Sequence, residues 1–306
     1  MNSPDFSDFD AWLGKPRVED EVLSLGQARR LAATLDLDPE PLTDGGALPA
    51  GWHWIYFNPS PARSALGPEG HDAQGDFLPP IALPRRMWAG GTLRFSGTLR
   101  IGEPAERVST IRSIEHKEGR SGRLVFVTVH HRIAHEDGAS VDEEQNLVFL
   151  PERPAGAAAA ASPGQAPVAP EWSEAFTADE VTLFRFSALT FNSHRIHYDQ
   201  RYVTEVEGYP GIVVHGPLLA VLLLGAGIRH TPGNATPTAM PHTFRYRAKQ
   251  PLFCNEQFQL SGRRMDAGSG AIGTEPDGGA MKLWAEHPTR GIAMEAELES
   301  AVALPL

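Results

Sequence analysis

The sequence predicts a protein of the α+β class, in which curved antiparallel sheets enclose one buried helix. Val125, Val127 and Val129 recur at every second position, as in a strand with one buried face. The segment that begins at Gly216–Pro217 is apolar on every face, which is typical of a fully buried helix. Two halves built in this way and sharing one interface predict a double hot-dog architecture with two antiparallel sheets.

Residues 1–150 are predicted to form the first half, which is non-catalytic and shapes the substrate cleft. An amphipathic helix starts near the capping residue Ser24. Aromatic and period-two patterns predict strands at residues 52–57, 92–101, 108–116, 123–134 and 145–150. The stretch Gly119–Arg120–Ser121–Gly122 is a hairpin turn signal. Since no long apolar helix accompanies these strands, the central helix is expected to be degraded in this half.

A segment rich in Ala, Pro and Gly, residues 151–172, is predicted to link the halves. Residues 173–306 form the predicted second half, which carries the catalytic motif. It begins with a capped helix at residues 177–187. The buried helix follows, with Pro217 at its first position. Strands are predicted at residues 240–248, 257–263, 281–287 and 291–298.

Composition narrows the classes of partner. The formal net charge of -11 argues against non-specific binding to nucleic acid or to an anionic membrane, because such partners favour basic surfaces. A CoA thioester remains compatible, since a few local Arg or Lys side chains hold one set of phosphates. Cys254 is the only cysteine, which excludes an intrachain disulfide and a Cys-based zinc site.

The expected location is the cytoplasm. The first residues, MNSPDFSDFDAWLG, are acidic and lack the basic and apolar regions of a signal peptide. The longest apolar stretch, residues 217–228, is too short to span a bilayer.

Two neighbouring motifs resemble those of a known enzyme family. TFNSHRIHYD, followed by EGYPGIVVHGPL, is similar to the hydratase motif of the MaoC-type (R)-specific enoyl-CoA hydratases. The closer likeness is to the two-domain branch that contains mesaconyl-C4-CoA hydratase, itaconyl-CoA hydratase and mitochondrial 3-hydroxyacyl-thioester dehydratase. LPRRMWAGG and GRSGRLVFVTV resemble that branch's non-catalytic half, so the likeness covers most of the chain. The resemblance implies reversible hydration of an α,β-unsaturated acyl-CoA, with no cofactor because CoA is part of the substrate.

The motif residues suit that chemistry. Hydration needs a base to activate water, an acid to protonate Cα and donors for the oxygen that becomes negative. His197 can act as the base, because an imidazole titrates near working pH. Gly216 can present its backbone N–H at the positive end of the buried helix. Asn192 stands where simpler members of the family carry aspartate; its amide cannot act as a base but can orient water or bond to His197.

Other interpretations of these histidines remain open. An isolated histidine is more often structural or exposed than catalytic, so the argument for His197 depends on its combination with Asn192 and the Gly216 helix start. His194 and His197 have the H-x-x-H spacing of some metal sites. No Glu or Asp completes a zincin pattern, and no metal is expected.

Basic groups bear on substrate choice. Arg85 and Arg86 lie among apolar residues, and an arginine pairs bidentately with carboxylates. One of them could hold the distal carboxylate of a dicarboxylic acyl group, or Arg86 could merely form a salt bridge between the halves. Arg247 shares a strand face with Arg245 and Lys249; this face could meet CoA phosphates or simply be solvated. His215, directly before Gly216, is also placed among the predicted substrate-binding residues.

Three functional classes follow. The first is a hydratase for a branched dicarboxylic acyl-CoA of the mesaconyl-C4-CoA or itaconyl-CoA type. The second is a 3-hydroxyacyl-thioester dehydratase that acts on monocarboxylic or carrier-bound chains. The third is a non-catalytic acyl-CoA-binding hot-dog protein. A thioesterase is a weaker alternative, because hot-dog thioesterases generally use a carboxylate near the helix and Asn192 offers none. A homodimer of double hot-dog units is a possible assembly.

Overall fold

The computed structural model describes residues 9–119, 122–152, 169–231, 240–265 and 279–300. The first half contains, in chain order, β1 (Arg17–Val22), α1 (Leu25–Thr34), a 3-10 turn (Trp52–Ile55), β2 (Arg85–Ser96), β3 (Pro104–Gly119), β4 (Gly122–Ala134) and β5 (Ser140–Leu150). Short 3-10 turns also lie at Asp10–Trp12 and Arg63–Ala65.

The second half follows the same plan. It contains β6 (Trp172–Thr177), α2 (Glu180–Leu189), a 3-10 turn (Arg195–His197), α3 (Gln200–Glu205), α4 (Gly216–Arg229), β7 (Pro241–Ala248), β8 (Gln257–Arg264), β9 (Ala280–His287) and β10 (Gly291–Ser300). In each half a strand and a helix precede the central element, and four antiparallel strands follow it.

The strands form one continuous sheet. Its 10 strands run in the order β1-β3-β4-β5-β2-β7-β10-β9-β8-β6. The two antiparallel sheets expected from the sequence are therefore joined, because β2 pairs with β7 along the register from Gly90↔Arg247 to Arg94↔Thr243. The α+β class and the double hot-dog arrangement are confirmed, with the boundary between the halves at this strand pair.

The central helix survives in one half only. In α4, Pro217 occupies the first turn, where its missing N–H costs nothing, and most of the helix is buried as its apolar sequence predicts. The matching position of the first half holds only the 3-10 turn Trp52–Ile55, as the degraded helix predicts. Because this 3-10 turn is much shorter than α4, it covers less of the sheet in the first half.

Several predicted elements differ from the structure. The strand predicted at residues 52–57 is the 3-10 turn, because Gly51 adopts φ +82 and redirects the chain. The predicted strand at 92–101 ends at Ser96, where Gly97 takes φ +75. The predicted helix at 177–187 begins instead at Glu180 behind the cap Asp179, because the preceding residues through Thr177 belong to β6. The remaining strand and helix predictions are confirmed with shifted ends.

Two strands were not predicted, and two predicted segments lie partly outside the described residues. β1 and β6 are short and alternate between half-buried and exposed positions, which leaves no apolar pattern to detect. The hairpin between β3 and β4 is confirmed by the pairing of Gly119 with Gly122, although residues 120 and 121 lie outside the described residues. Most of the predicted linker, residues 153–168, also lies outside them. Within the described part, no helix has the length and apolar character needed to cross a membrane.

Candidate active site

His197 lies at the end of a 3-10 turn and is 7% exposed. Its Nδ1–H donates to the carbonyl oxygen of Val213 at 2.7 Å. That bond fixes the ring and its tautomer and leaves Nε2 unprotonated, which is the form a base requires. Burial lowers the pKa of His197 to about 4, opposed by the bond to Val213. The imidazole is therefore neutral throughout the physiological range.

Two further histidines surround His197. The ring of His215 stacks on it with centroids 3.7 Å apart, and that of His194 meets it edge-on at 5.6 Å. Ser187 Oγ lies 2.8 Å from His215 Nε2 and fixes that ring from behind. Burial lowers the pKa of both neighbours far below the usual histidine value. A cation on either ring would be desolvated, so the cluster favours neutral imidazoles.

Asn192 orders the loop that carries His194 and His197. Its Oδ1 accepts the backbone N–H of His194 at 2.9 Å. Asn192 also lines a cavity that His197 borders. No hydrogen bond joins Asn192 to His197 among the described residues, and the His197 Nδ1–H is donated to Val213 instead. Its Nδ2 has no protein partner among the described residues and can donate to a molecule in the cavity.

Gly216 begins α4 on the cavity wall. The first N–H groups of an α-helix have no partner within the helix, so they can donate to an oxygen at this end. A Cβ on Gly216 would lie 2.7 Å from Cε3 of Trp88, which is closer than side chains tolerate. Only glycine, which has no Cβ, therefore permits the close approach of the Trp88 ring. The same lack of a side chain leaves space in the cavity.

Trp88 is held in place by other aromatic rings. It stacks on Tyr246 with centroids 4.5 Å apart, and Trp54 meets it edge-on at 5.6 Å. The Trp54 indole donates to the buried carboxylate of Glu143 at 3.0 Å. Trp88 lines the cavity and is held by Trp54 and Glu143, so residues of the first half fix part of the cavity wall.

Arg85 and Arg86 have different environments. Arg85 Nε donates to Glu207 Oε2 at 2.9 Å, and its Nη2 donates to the Tyr209 hydroxyl at 3.0 Å. Arg85, and not Arg86, therefore forms the salt bridge between the two halves. Arg86 lines the cavity and has no ion pair among the described residues. Burial lowers its pKa, opposed by the more distant carboxylates of Glu69 and Asp72.

A cavity of about 950 Å³ connects these groups. His194, His197, Asn192 and Gly216 line one part of it, and the first half lines the rest. There the uncovered face of the sheet contributes Ser109, Val129, His131, Gln145 and Leu147. Three exposed aromatic side chains also border the cavity, those of Phe184, Phe191 and Tyr198.

Two predicted substrate-binding residues lie elsewhere. His215 is 1% exposed and sits behind His197, so it supports that ring and does not line the cavity. Arg247 is exposed on β7, on the face opposite the buried Phe244 and Tyr246. The ionic partners of its neighbours Arg245 and Lys249 are Glu299 and Glu295, as expected for a solvated strand face. No cluster of three metal-ligating side chains occurs in the described ranges.

His71 is a cavity residue that the sequence did not single out. Its ring centroid lies 4.0 Å from that of His194, across the boundary between the halves. It occupies an irregular segment rich in Gly and Pro, where no periodic pattern marks a buried side chain. Its position becomes evident only from the contacts between that segment and the loop of His194.

Comparisons with known proteins agree with this geometry. Residues 51–254 match the sequence model of the family described as Hydroxyacyl-thioester dehydratase type 2. The chain is 40% identical over 294 residues to a mesaconyl-C(4)-CoA hydratase of Chloroflexus aurantiacus, covering 96% of this chain and 98% of that one. It is 26% identical over 237 residues to the mitochondrial hydroxyacyl-thioester dehydratase type 2 of Schizosaccharomyces pombe, covering 70% of this chain and 77% of that one.

Solved structures confirm the fold. A MaoC-like dehydratase superposes with a TM-score of 0.69 at 13% identity, covering 96% of this chain and 99% of that one. A Mycobacterium tuberculosis protein described as a double hotdog fold gives 0.55 at 14% identity, covering 94% and 96%. The family resemblance seen in the motifs is therefore confirmed. This chain belongs to the hydroxyacyl-thioester dehydratase type 2 family and is an enzyme of the hydro-lyase class.

Proposed function

We propose that this enzyme hydrates the α,β double bond of a branched dicarboxylic acyl-CoA, with His197 as its acid–base residue. The observation that carries the proposal is the state of His197: its Nδ1 is bonded to Val213 and its Nε2 is available at the cavity. The relative from Chloroflexus aurantiacus, named for hydration of a mesaconyl-C4 thioester, supports the same substrate class.

The proposed reaction uses one base and one oxyanion donor. His197 Nε2 removes a proton from water as the water oxygen bonds to Cβ. The electron pair of the double bond moves to Cα, and negative charge develops on the thioester oxygen. The Gly216 N–H and the positive end of α4 stabilise that charge. The imidazolium of His197 then returns a proton to Cα, so the atoms of one water are added and the residue is regenerated.

Arg86 supports a dicarboxylic substrate. Its guanidinium lines the cavity beside the active-site histidines, and the pKa values of His71 and His194 are lowered by its charge. In a mesaconyl-C4 thioester the free carboxylate is attached to the carbon that receives the hydroxyl group. A carboxylate at this place would pair with Arg86, which burial otherwise leaves without an ionic partner.

The second candidate is dehydration of a 3-hydroxyacyl thioester that lacks the distal carboxylate. The cavity of about 950 Å³ is compatible with this substrate class as well. The family description and the Schizosaccharomyces pombe relative support the same alternative. The third alternative from the sequence, a non-catalytic acyl-CoA-binding protein, does not agree with membership of a hydro-lyase family.

The proposed reaction requires no cofactor beyond the CoA of the substrate. We expect the enzyme to work in the cytoplasm. We also expect two copies to assemble, because exposed apolar side chains of α2 and the loop after it, among them Val181, Phe184 and Phe191, offer a surface for a second double hot-dog unit.

Loss of enoyl absorbance on adding protein tests the function. The panel contains mesaconyl-C4-CoA and crotonyl-CoA, together with itaconyl-CoA, whose hydration is followed by chromatography because its methylene double bond is not conjugated with the thioester. We expect the dicarboxylic thioesters to be hydrated with higher kcat/KM. Arg86→Met should reduce turnover of the dicarboxylic thioesters by about tenfold or more and leave crotonyl-CoA nearly unchanged. Equal losses on all three would remove the carboxylate role of Arg86. Binding of all three thioesters without any hydration would contradict the proposed function.

A further inference from the structure

A turn at residues 67–71 of the first half contacts the loop that carries the active-site histidines. The backbone N–H of Arg195 donates to the Glu69 carbonyl at 2.8 Å, and Ser193 Oγ donates to the Gly70 carbonyl at 2.6 Å. Gly70 adopts φ +93, and a Cβ there would lie 2.0 Å from the Ser193 carbonyl oxygen. The turn is thus fixed against the loop at a distance that only glycine permits.

This turn places His71 on the cavity wall. Its ring contacts that of His194, and its buried Nδ1 has no hydrogen-bond partner among the described residues. The nearest carboxylate oxygen, Oε1 of Glu69, is 4.0 Å away. Burial lowers the pKa of His71 well below its usual value, and the charges of Arg86, His194 and His197 lower it further. The cavity wall therefore carries a neutral imidazole as well as the guanidinium of Arg86.

An anion at this place would change the balance of charge. Glu69 and Asp72 are the carboxylates whose charges oppose the burial of Arg86, yet neither forms an ion pair with it. A substrate carboxylate between Arg86 and His71 would satisfy the guanidinium and would also favour protonation of the imidazole. The same wall would then offer two donors to the two oxygens of one carboxylate.

We propose that His71 and Arg86 together bind the free carboxylate of a dicarboxylic acyl-CoA, and that His71 takes up one proton from solvent when it binds. This inference rests on the proposed function. The charged and titratable groups facing His71 are Glu69 of its own turn, Arg86 of β2, and His194 and His197 of the opposing loop. Between two thioesters that share the CoA phosphates, the carboxylate is the only additional charge, so we expect its binding and the proton uptake to be linked.

Calorimetry with two saturated thioesters tests the linkage. Succinyl-CoA and butyryl-CoA have acyl chains of equal length, and neither can be hydrated because neither has a double bond. Titrations at pH 6.5 in buffers of different ionisation enthalpy report the protons taken up. We expect about one proton for succinyl-CoA and none for butyryl-CoA. Affinity for succinyl-CoA should also fall as the pH rises, by up to about tenfold per unit, whereas that for butyryl-CoA should not.

Variants assign the proton. His71→Asn keeps a polar side chain but cannot be protonated, so the uptake should vanish and succinyl-CoA should bind about tenfold more weakly, with butyryl-CoA unaffected. His242→Asn, on the exposed face of β7, is the matched control and should behave as wild type. Uptake that persists in His71→Asn, or equal proton counts for the two thioesters in wild type, contradicts the role of His71.

The two proposals fail in different ways. Failure of the proposed function appears as wild-type protein that hydrates neither crotonyl-CoA nor mesaconyl-C4-CoA. Failure of the present inference appears as normal hydration with an unchanged proton count and an unchanged ratio of KM values in His71→Asn. Near-ultraviolet circular dichroism of the variants checks that the aromatic cluster around Trp88 is intact.

Discussion

The two halves of this enzyme share a strand plan but differ in the element that each sheet surrounds. In both halves the sheet order is first, third, fourth, fifth and second strand, and the second strands β2 and β7 meet at the centre. The second sheet surrounds the full helix α4, whereas the first surrounds the 3-10 turn Trp52–Ile55. The same strand plan therefore surrounds a full helix in one half and a single 3-10 turn in the other.

The interiors differ in chemistry as well as in length. Around α4 the buried histidines His194, His197 and His215 contact one another. In the first half the buried polar groups surround the carboxylate of Glu143: Trp54 donates to it at 3.0 Å, and His53 Nε2 lies 3.4 Å from it. Burial would raise the pKa of Glu143, but these neighbours hold it below the usual value. The first interior thus surrounds a carboxylate with polar neighbours, while the second contains stacked imidazole rings.

This difference indicates a division of labour. In the proposed reaction a complete helix supplies the Gly216 N–H and fixes the loop of His197. A shortened helix frees the concave face of the first sheet, which then lines the cavity with Ser109, His131 and Gln145. In the proposed function, one half would therefore carry the reaction and the other would shape the binding cleft.

The largest effect is expected from a methyl group at the start of α4. Gly216→Ala places a Cβ 2.7 Å from Trp88 Cε3, and Trp88 cannot retreat because Tyr246 stacks on it. The displaced helix start should cost about 10²–10³ in kcat, the usual effect of losing one oxyanion donor. Steady-state hydration of crotonyl-CoA measures the loss.

The same helix offers a matched control. At Gly225 a Cβ would meet only the flexible Arg229 Nη1, at 3.4 Å. Gly225→Ala should keep normal kcat and raise the free energy of unfolding by about 0.5–1 kcal/mol, because alanine favours a helix interior. Similar losses of kcat in both variants would mean that any disturbance of α4 is damaging, and the specific role of Gly216 would be lost.

A smaller effect, on stability, is expected from acid. His71, His194, His197 and His215 all have pKa values lowered by burial, so the unfolded chain binds protons that the folded chain does not. Stability should therefore be greatest above about pH 6.5 and should fall as the pH drops from there toward 4. Each such histidine contributes up to about 1.4 kcal/mol per pH unit. Urea unfolding at several pH values measures this slope.

One substitution localises the effect to the second half. His215→Gln should lower the slope of unfolding free energy against pH by about one proton, since that ring is 1% exposed and has no carboxylate beside it. The exposed His242 serves as control, and His242→Gln should leave the slope as in wild type. If both variants keep the wild-type slope, the histidine cluster is not what makes the fold sensitive to acid.

The second half could be predicted from the sequence more fully than the first. The apolar run after Pro217 requires burial wherever it lies, and the motif from Asn192 to His197 is local in sequence. The first half contributes through contacts between distant residues. Arg85 contacts Glu207, and His71 contacts His194, across the boundary between the halves. These pairs are far apart in sequence and come together where the halves are joined by the pairing of β2 with β7.

The errors have the same origin. Residues 52–57 are rich in aromatic side chains, and this composition predicts a strand. In the structure Gly51 redirects the chain, so the aromatic rings cover the sheet from a 3-10 turn. Arg247 lies on the exposed face of β7, outside the cavity wall, and its contact with CoA phosphates stays a prediction. His215 suggested substrate contact by adjacency to Gly216, whereas the helix start directs it behind His197.

The central claim is that proton transfer belongs to the second half, and two cavity histidines that belong to opposite halves test it directly. His197 and His131 both border the cavity, and burial lowers the pKa of each to about 4. His131 is bonded to Ser109 at 2.7 Å, so His131→Ala should change kcat for crotonyl-CoA by only a few fold. His197→Ala should reduce it by about 10³ or more. Comparable activity of the two variants, or near-normal hydration by His197→Ala, would contradict the account.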